Sequence, residues 1–168
     1  MKSEVTLKKY IIVILLFIIT ILMGLYVINY YNDSKNYKNS EEKIMSFLPE
    51  IDSVNLNNYI IDNHEAIIYM SDSNDVSIRN FEFKLKKYFI KENLEKTVLY
   101  LDANELDSNF YEDFRSKYGS NYNINSNNIP CIIIIENDIV KSVLCKDNNN
   151  LEINDVKKFF KDNGVAEW

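Results

Sequence analysis

Apolar residues form one long block near the start of the chain, whereas later they occur only in short, periodic groups. Residues 10–28 contain no charge, and fourteen of the eighteen residues Ile11–Ile28 are Ile, Leu, Val or Phe. At about 1.5 Å per residue, this length matches the roughly 30 Å hydrocarbon core of a bilayer. A buried core helix normally carries a polar stripe, and this block has none. It predicts a transmembrane helix, placed at residues 10–31 as an uncleaved signal anchor.

A cleaved signal peptide is the main alternative interpretation of the apolar block. Such a peptide normally has about 7–15 apolar residues followed by a cleavage site with small side chains. Here the block is longer, and the residues 26–31 that follow its centre are bulky. Three lysines precede the block, and this modest bias predicts a cytoplasmic N-terminus, residues 1–9. We expect the C-terminal part to lie outside the cell, with a stalk at 32–52 and one folded domain at 53–168.

Within the expected domain, apolar residues follow two patterns in turn, one typical of strands and the other typical of helices. Short apolar runs bounded by polar clusters predict four strands, at Ala66–Met70, Thr97–Leu101, Cys131–Ile135 and Ile139–Cys145. Apolar residues three or four positions apart predict helices within Asn55–Asn63, Val76–Lys91 and Asp107–Tyr118. In the second of these, Glu82 and several lysines are assigned to the polar face. A last helix should start at an Asn154–Asp155 cap and stop at Asn163–Gly164.

The order of these elements is β-α-β-α, followed by a β-hairpin and a final helix. A crossover helix joins parallel strands, whereas the hairpin adds antiparallel ones. The four isoleucines after Cys131 indicate a strand that is buried on both faces. The predicted fold class is therefore α/β: a central mixed four-stranded sheet flanked by helices, preceded by a single transmembrane helix.

The charge balance limits the partners that we expect. The whole chain carries −6, and the first thirty residues contribute +2, so the remainder carries −8. No cluster of Lys or Arg interrupts this acidic part of the sequence. We therefore expect neither nucleic acid nor anionic lipid as a partner.

Few residues suggest catalysis or metal binding. His64 is the only histidine, so no convincing Ser–His or Cys–His pair can be assembled, and we interpret it as a surface loop residue. Glu65, Asp72 and Asp75 are candidate cation ligands, but the segment lacks the Gly and terminal Glu of a calcium loop. We interpret the two aspartates as helix caps and expect no metal and no cofactor.

Several segments resemble the thioredoxin family in the order in which they occur. Asn128–Ile135 resembles the family's Ile-Pro-Thr segment, in which a cis-proline opens a buried strand. Ala66–Met70 and the following helix resemble the elements that flank its active site, and Phe159–Val165 resembles its closing helix. The likeness covers about residues 53–165. The chain is similar to the small membrane-anchored thioredoxin-like proteins of Gram-positive bacteria, including bacteriocin transport accessory proteins.

The chemistry of that family does not carry over. The position of its Cys-x-x-Cys motif is occupied by Asn74-Asp75-Val76-Ser77, and the position of its buried acid falls near the apolar Ile68. The resemblance without the dithiol implies a non-catalytic domain that serves as a binding or chaperone-like accessory for an exported peptide or membrane protein. By analogy with the family, a peptide-binding groove would comprise Ser73, Asn74, Asp75, Ile129 and Pro130.

Two cysteines leave further alternatives open. Cys131 and Cys145 would face each other across a hairpin with a three-residue loop, whereas a two-residue loop places Cys131 opposite Leu144. They could form a structural disulfide, remain as two unpaired and mostly buried thiols, or leave Cys131 exposed and reactive. The alternative function is therefore a thiol-disulfide oxidoreductase or isomerase that uses Cys131, alone or with Cys145. A purely structural subunit of a membrane assembly is a third possibility.

Overall fold

The computed structural model describes residues 2–40, 44–119, 121–145 and 151–166. The chain divides into two compact units, Met1–Glu41 and Glu42–Trp168. The first unit is one helix, α1, Lys2–Ser40. Its segment Lys9–Asn32 is 24 residues long with a mean hydropathy of 3.2, and none of its most apolar stretch is buried. By length and composition it is able to cross a membrane once, in agreement with the sequence.

The second unit is a mixed sheet covered by helices. Its helices are α2 Ser53–Asn63, α3 Arg79–Lys91, α4 Phe110–Tyr118 and α5 Ile153–Asp162, and its strands are β1 Glu65–Ser71, β2 Val98–Asp102, β3 Cys131–Glu136 and β4 Ile139–Cys145. The strand order is β2-β1-β3-β4. β1 pairs in parallel with β2 and antiparallel with β3, which pairs antiparallel with β4. The predicted α/β class is confirmed, and the arrangement is compatible with a thioredoxin-like sandwich.

Alternate residues of the central strands pack into two separate layers of core. On one face, Ile68 and Ile133 pack with residues of α2 and α4. On the other face, Tyr69 and Ile132 pack with residues of α3 and α5, among them the fully buried Phe89. The expectation that β3 is buried on both faces is confirmed.

Local side-chain chemistry sets the helix ends. Asp52 begins α2 by accepting a hydrogen bond from the Asn55 N–H at 2.7 Å. The predicted start of α5 is wrong: the capping residue is Glu152. Asp155 is the third residue of that helix, and its carboxylate accepts from the Glu152 N–H at 3.0 Å. Gly164, just after the end of α5, has a φ of 71°. This left-handed conformation favours glycine, so the predicted helix stop is confirmed.

The folded unit contains residues that precede α2. Ile44, Met45 and Leu48 are buried, and the latter two pack with the α3 and α5 layer. Residues 49–51 run parallel to β2, where the Tyr100 N–H donates to Pro49 O at 2.8 Å and the Ile51 N–H to Tyr100 O at 2.9 Å. Part of the segment that the sequence analysis assigned to a stalk therefore lies against the sheet.

A β-bulge sets the register of the hairpin between β3 and β4. Asn137 and Asp138 form a two-residue turn, both with positive φ, as type I′ turns require. The pairing then shifts by one residue, because Ile135 faces Val140 whereas Ile134 faces Ser142. Lys141 is the extra residue. The turn has the shorter of the two expected lengths, yet the bulge still brings Cys131 opposite Cys145.

Candidate functional site

The two segments of the expected groove lie at the same end of the sheet. Met70, near the end of β1, is paired with Cys131 at the start of β3. The loop after β1 and the Ile129–Pro130 segment before β3 are therefore neighbours. The Ile129–Pro130 peptide bond is cis. Pro130 is buried, whereas Ile129 is partly exposed.

The loop after β1, residues 72–75, is organised by its own aspartates. Asp72 Oδ1 accepts from the Asn74 N–H at 2.8 Å, and Asp75 Oδ1 accepts from the Ser77 N–H at 2.8 Å. The latter bond begins a short 3₁₀ turn, Val76–Ile78, directly before α3. Asp75 is therefore a helix cap, as the sequence predicts, whereas Asp72 stabilises the loop itself and caps no helix. Glu65 begins β1, at the other end of that strand, and is not brought together with them.

Ser73 is fixed from beneath by buried charged side chains. Its N–H donates to Asp102 Oδ1 at 3.2 Å, and its carbonyl accepts from Arg79 Nη2 at 3.2 Å. Asp102 and Arg79 are both buried. Because both backbone groups of Ser73 point at these partners, Ser73 acts as a support of the loop. Asn74 is the exposed member of the expected groove, and Asp75 is partly exposed.

Below the loop lies a buried carboxylate that the sequence analysis assigned to the outer face of α3. Glu82 is only 5% exposed. It accepts hydrogen bonds from Ser71 Oγ at 2.8 Å and Tyr69 Oη at 3.1 Å. The assignment is wrong because position 82 lies four residues after Ile78 and three before Leu85, which places it on the buried face. That spacing was the signal that could have identified it.

Burial controls the ionisation of this pair. Loss of solvation raises the pKa of Glu82 above its usual range, and hydrogen bonds from Ser71 and Tyr69 and the nearby Arg79 charge oppose the change. Burial also raises the pKa of Tyr69, further increased by the Glu82 charge. Ile68 is apolar and buried, as expected. Two buried carboxylates therefore lie at this end of the sheet, Glu82 from α3 and Asp102 from β2, and neither comes from the position of Ile68.

A cavity of about 440 Å³ opens beside Pro130. One wall comes from α3 and the turn before it, through Ser77, Phe81 and Lys84. The opposite wall is residues 151–154, at the start of α5. This second wall could not be predicted from the sequence, because only the tertiary fold joins residues 151–154 to the site. A slightly larger cavity, about 460 Å³, lies near the start of β1 and is remote from the loop.

Both cysteines are joined in one disulfide. Cys131 and Cys145 are bonded, with an S–S distance of 2.07 Å. Cys131 is fully buried, whereas Cys145 is partly exposed. Of the three states that the sequence left open, the structure has the first. The bond closes the end of the hairpin next to Pro130.

Other candidate residues have structural surroundings. His64 ends α2, and its exposed ring lies 3.0 Å from the Asp138 carboxylate in the hairpin turn. This agrees with a surface loop residue. Among the described residues, carboxylate oxygens of Glu50, Asp102 and Glu105 lie within 4.8 Å of one another. Asp102 Oδ1 there accepts from the N–H groups of Ser73 and Asn104, so it has a structural role in the loop.

Comparison with known proteins adds no relative: no protein-family model matches the chain, and no curated protein matches it. A functional proposal therefore depends on the site itself.

Proposed function

We propose that the chain is a membrane-anchored, redox-inactive thioredoxin-like protein that binds an exported peptide or a membrane protein as a chaperone-like accessory. The observation that carries the proposal is the cavity beside Pro130, open next to a loop without sulfur. The span would hold the protein in the cell membrane, with the N-terminus in the cytoplasm and the folded unit outside.

The cavity has the chemistry of a peptide site. Phe81, Leu151 and Ile153 give it apolar walls, and Ser77 and Asn80 supply polar groups at its lining. Asn74 and Ile129, which flank this region, keep exposed surface. An extended peptide could insert side chains into the cavity and pair its backbone with exposed groups near Ile129.

The disulfide supports the absence of redox exchange at the loop. Exchange requires a thiolate that can reach a disulfide of the client. The only two sulfurs of cysteine in the chain are bonded to each other, and Cys131 has no exposed surface. Disulfides persist mainly in oxidising compartments, which supports a folded unit outside the cytoplasm.

The kind of client follows from the resemblance noted in the sequence. Similar membrane-anchored thioredoxin-like proteins of Gram-positive bacteria include bacteriocin transport accessory proteins, and by that analogy the client is an exported peptide. The proposal also includes a membrane protein as the client, bound at the same cavity.

Photochemical crosslinking tests the proposal. A photoreactive amino acid at Asn74 should capture a client in intact cells that express the full chain. The same group at Asn58, an exposed residue of α2 on the opposite layer, serves as the matched control. Equal labelling at the two positions would defeat the proposed groove.

A thiol oxidoreductase is the second candidate, because Cys145 is partly exposed and its disulfide adjoins Pro130. Insulin reduction by the full chain separates the two functions. We expect no activity above background in the wild type or in the Cys131→Ala, Cys145→Ala double variant. Activity in the wild type that the double variant loses would establish the enzyme instead.

A further inference from the structure

α3 and α5 are basic, whereas the rest of the folded unit is acidic. α3 and α5 share one face of the sheet, where the rings of Phe89 and Phe160 stack 6.0 Å apart. Together these helices carry eight Lys or Arg and three acidic side chains, a net charge of +5. The other described residues between 44 and 166 carry four basic and sixteen acidic side chains, a net charge of −12. The expectation of no basic cluster is wrong, because four lysines fall within residues 84–91 and α5 adds three more on the same face of the sheet.

Six of these basic side chains form what we call the lysine face: Lys84, Lys87, Lys91, Lys157, Lys158 and Lys161. Lys86 is not included, because it lies four residues after the buried Glu82 and therefore on another side of α3. Lys84, Lys87 and Lys91 recur at intervals of three and four residues, so they share one stripe of α3 opposite its buried side. Lys84, Lys87 and Lys158 are exposed. Ile90, which is 51% exposed, adds an apolar side chain beside this stripe.

Aromatic rings hold some lysines of α3 and α5 close to the protein surface. Lys86 Nζ lies 5.5 Å from the Phe47 ring centre, and Lys157 Nζ lies 6.0 Å from that of Tyr88. Lys91 also contacts Glu92, with an N–O distance of 3.2 Å. That exposed pair removes little of the charge, because the two helices remain strongly basic as a whole.

We propose that the lysine face binds the phosphate-bearing headgroups of anionic phospholipids. The face has the complementary charge, and the same chain carries the candidate span, which keeps the folded unit at a high effective concentration near a bilayer. Acidic groups elsewhere in the folded unit that lie more than about 10 Å from the face are screened at ordinary salt. Total charge alone, which disfavours anionic lipid, is therefore a poor guide to this face.

This inference rests on the membrane anchor of the proposed function and does not require peptide binding, although Lys84 also lines the cavity. Full-length protein would be placed in nanodiscs of phosphatidylcholine alone or with phosphatidylglycerol, and lysine acylation would be followed by mass spectrometry. Acylation of Lys84, Lys87 and Lys158 should slow severalfold in the anionic discs and recover at about 0.5 M NaCl. Lys117 and Lys141, exposed on other elements, should react equally in both.

Matched variants make the test specific. Replacing Lys87 and Lys158 by Gln should abolish the protection of Lys91 and Lys161, whereas replacing Lys117 and Lys141 by Gln should preserve it. Lys84 is left unchanged because it also lines the cavity. Equal protection in both lipids, or none in either, would overturn the inference. So would protection by soluble polyglutamate but not by anionic discs, which would assign the face to an acidic protein. Failure of the chain to enter discs would defeat the anchor and this inference together.

Discussion

Glu82 shows how one side chain links the loop to the core. Its carboxylate holds the Ser71 and Tyr69 hydroxyl groups beneath the loop that carries Asn74. A buried carboxylate is tolerated only when hydrogen bonds or charges compensate for lost hydration. Here Ser71, Tyr69 and Arg79 provide that compensation, yet burial remains the larger effect on its pKa.

Replacing Glu82 by Gln should alter how stability depends on pH. Because its folded pKa is raised, the carboxyl group contributes most below the unfolded pKa, and that contribution is lost as pH rises through the folded pKa. The free energy of unfolding of Glu82→Gln should therefore improve relative to wild type as pH increases from about 4.5 towards neutrality. Denaturant unfolding of the full chain in detergent measures this difference.

Glu112→Gln is the control for that measurement, because Glu112 is exposed on α4. Its pH profile should run parallel to that of the wild type. If Glu82→Gln also ran parallel, the raised pKa of the buried carboxyl group would be contradicted.

Residue-scale prediction succeeded where local chemistry decides and failed where the tertiary fold decides. The turn aspartates Asp72 and Asp75 could be recognised, because their carboxylates bond N–H groups two residues on. Glu82 was missed because its charge outweighed its position in the helical pattern. The wall at 151–154 has no signal in the sequence near Pro130, since only folding brings the two together.

At the scale of elements, every strand and helix predicted within residues 53–168 is present, with ends that differ by a few residues. Strong hydrophobic periods and polar boundaries explain this agreement. Hairpin register was harder, because the extra residue Lys141 follows no pattern in the sequence. The disulfide therefore could not be decided from loop length alone.

Removing the disulfide should destabilise the folded unit without changing its topology. Cys131 and Cys145 are 14 residues apart, and closing a loop of that length contributes about 3 kcal/mol in the chain-entropy model. The double variant Cys131→Ala, Cys145→Ala should lose about 2–4 kcal/mol of unfolding free energy. Denaturant unfolding under non-oxidising and oxidising conditions measures the loss.

Reductant supplies the control for this experiment. It should lower the stability of the wild type towards that of the double variant and leave the variant itself unchanged. Wild-type stability that is insensitive to reductant, after thiol analysis shows complete reduction, would contradict a stabilising bond.

At the scale of the whole molecule, the sequence identified an apolar helix and a separate α/β unit, and both are present. Orientation remains a prediction, because the positive-inside bias is modest. Protease added to intact cells should digest the C-terminal unit and leave a membrane fragment that contains the N-terminus. Complete protection until the cells are opened would place that unit in the cytoplasm.

The distribution of charge is also a property of the whole molecule. A net charge of −6 does not show that α3 and α5 are basic, because patches depend on which segments the fold brings together. Lys84 belongs both to the lysine face and to the wall of the cavity, so the two surfaces meet on α3. Lys87 and Lys158 do not line the cavity, so variants at these positions test the lysine face separately.

The most direct test of the central claim asks whether filling the cavity prevents client capture. Ser77 lines the cavity and is exposed, so Ser77→Trp should obstruct it, whereas Ser116→Trp adds the same bulk to the exposed side of α4. Crosslinking from Asn74 would be measured in both backgrounds in intact cells. The account predicts that Ser77→Trp strongly reduces the client adduct and that Ser116→Trp leaves it unchanged. Equal adduct in the two variants would contradict peptide binding at this cavity.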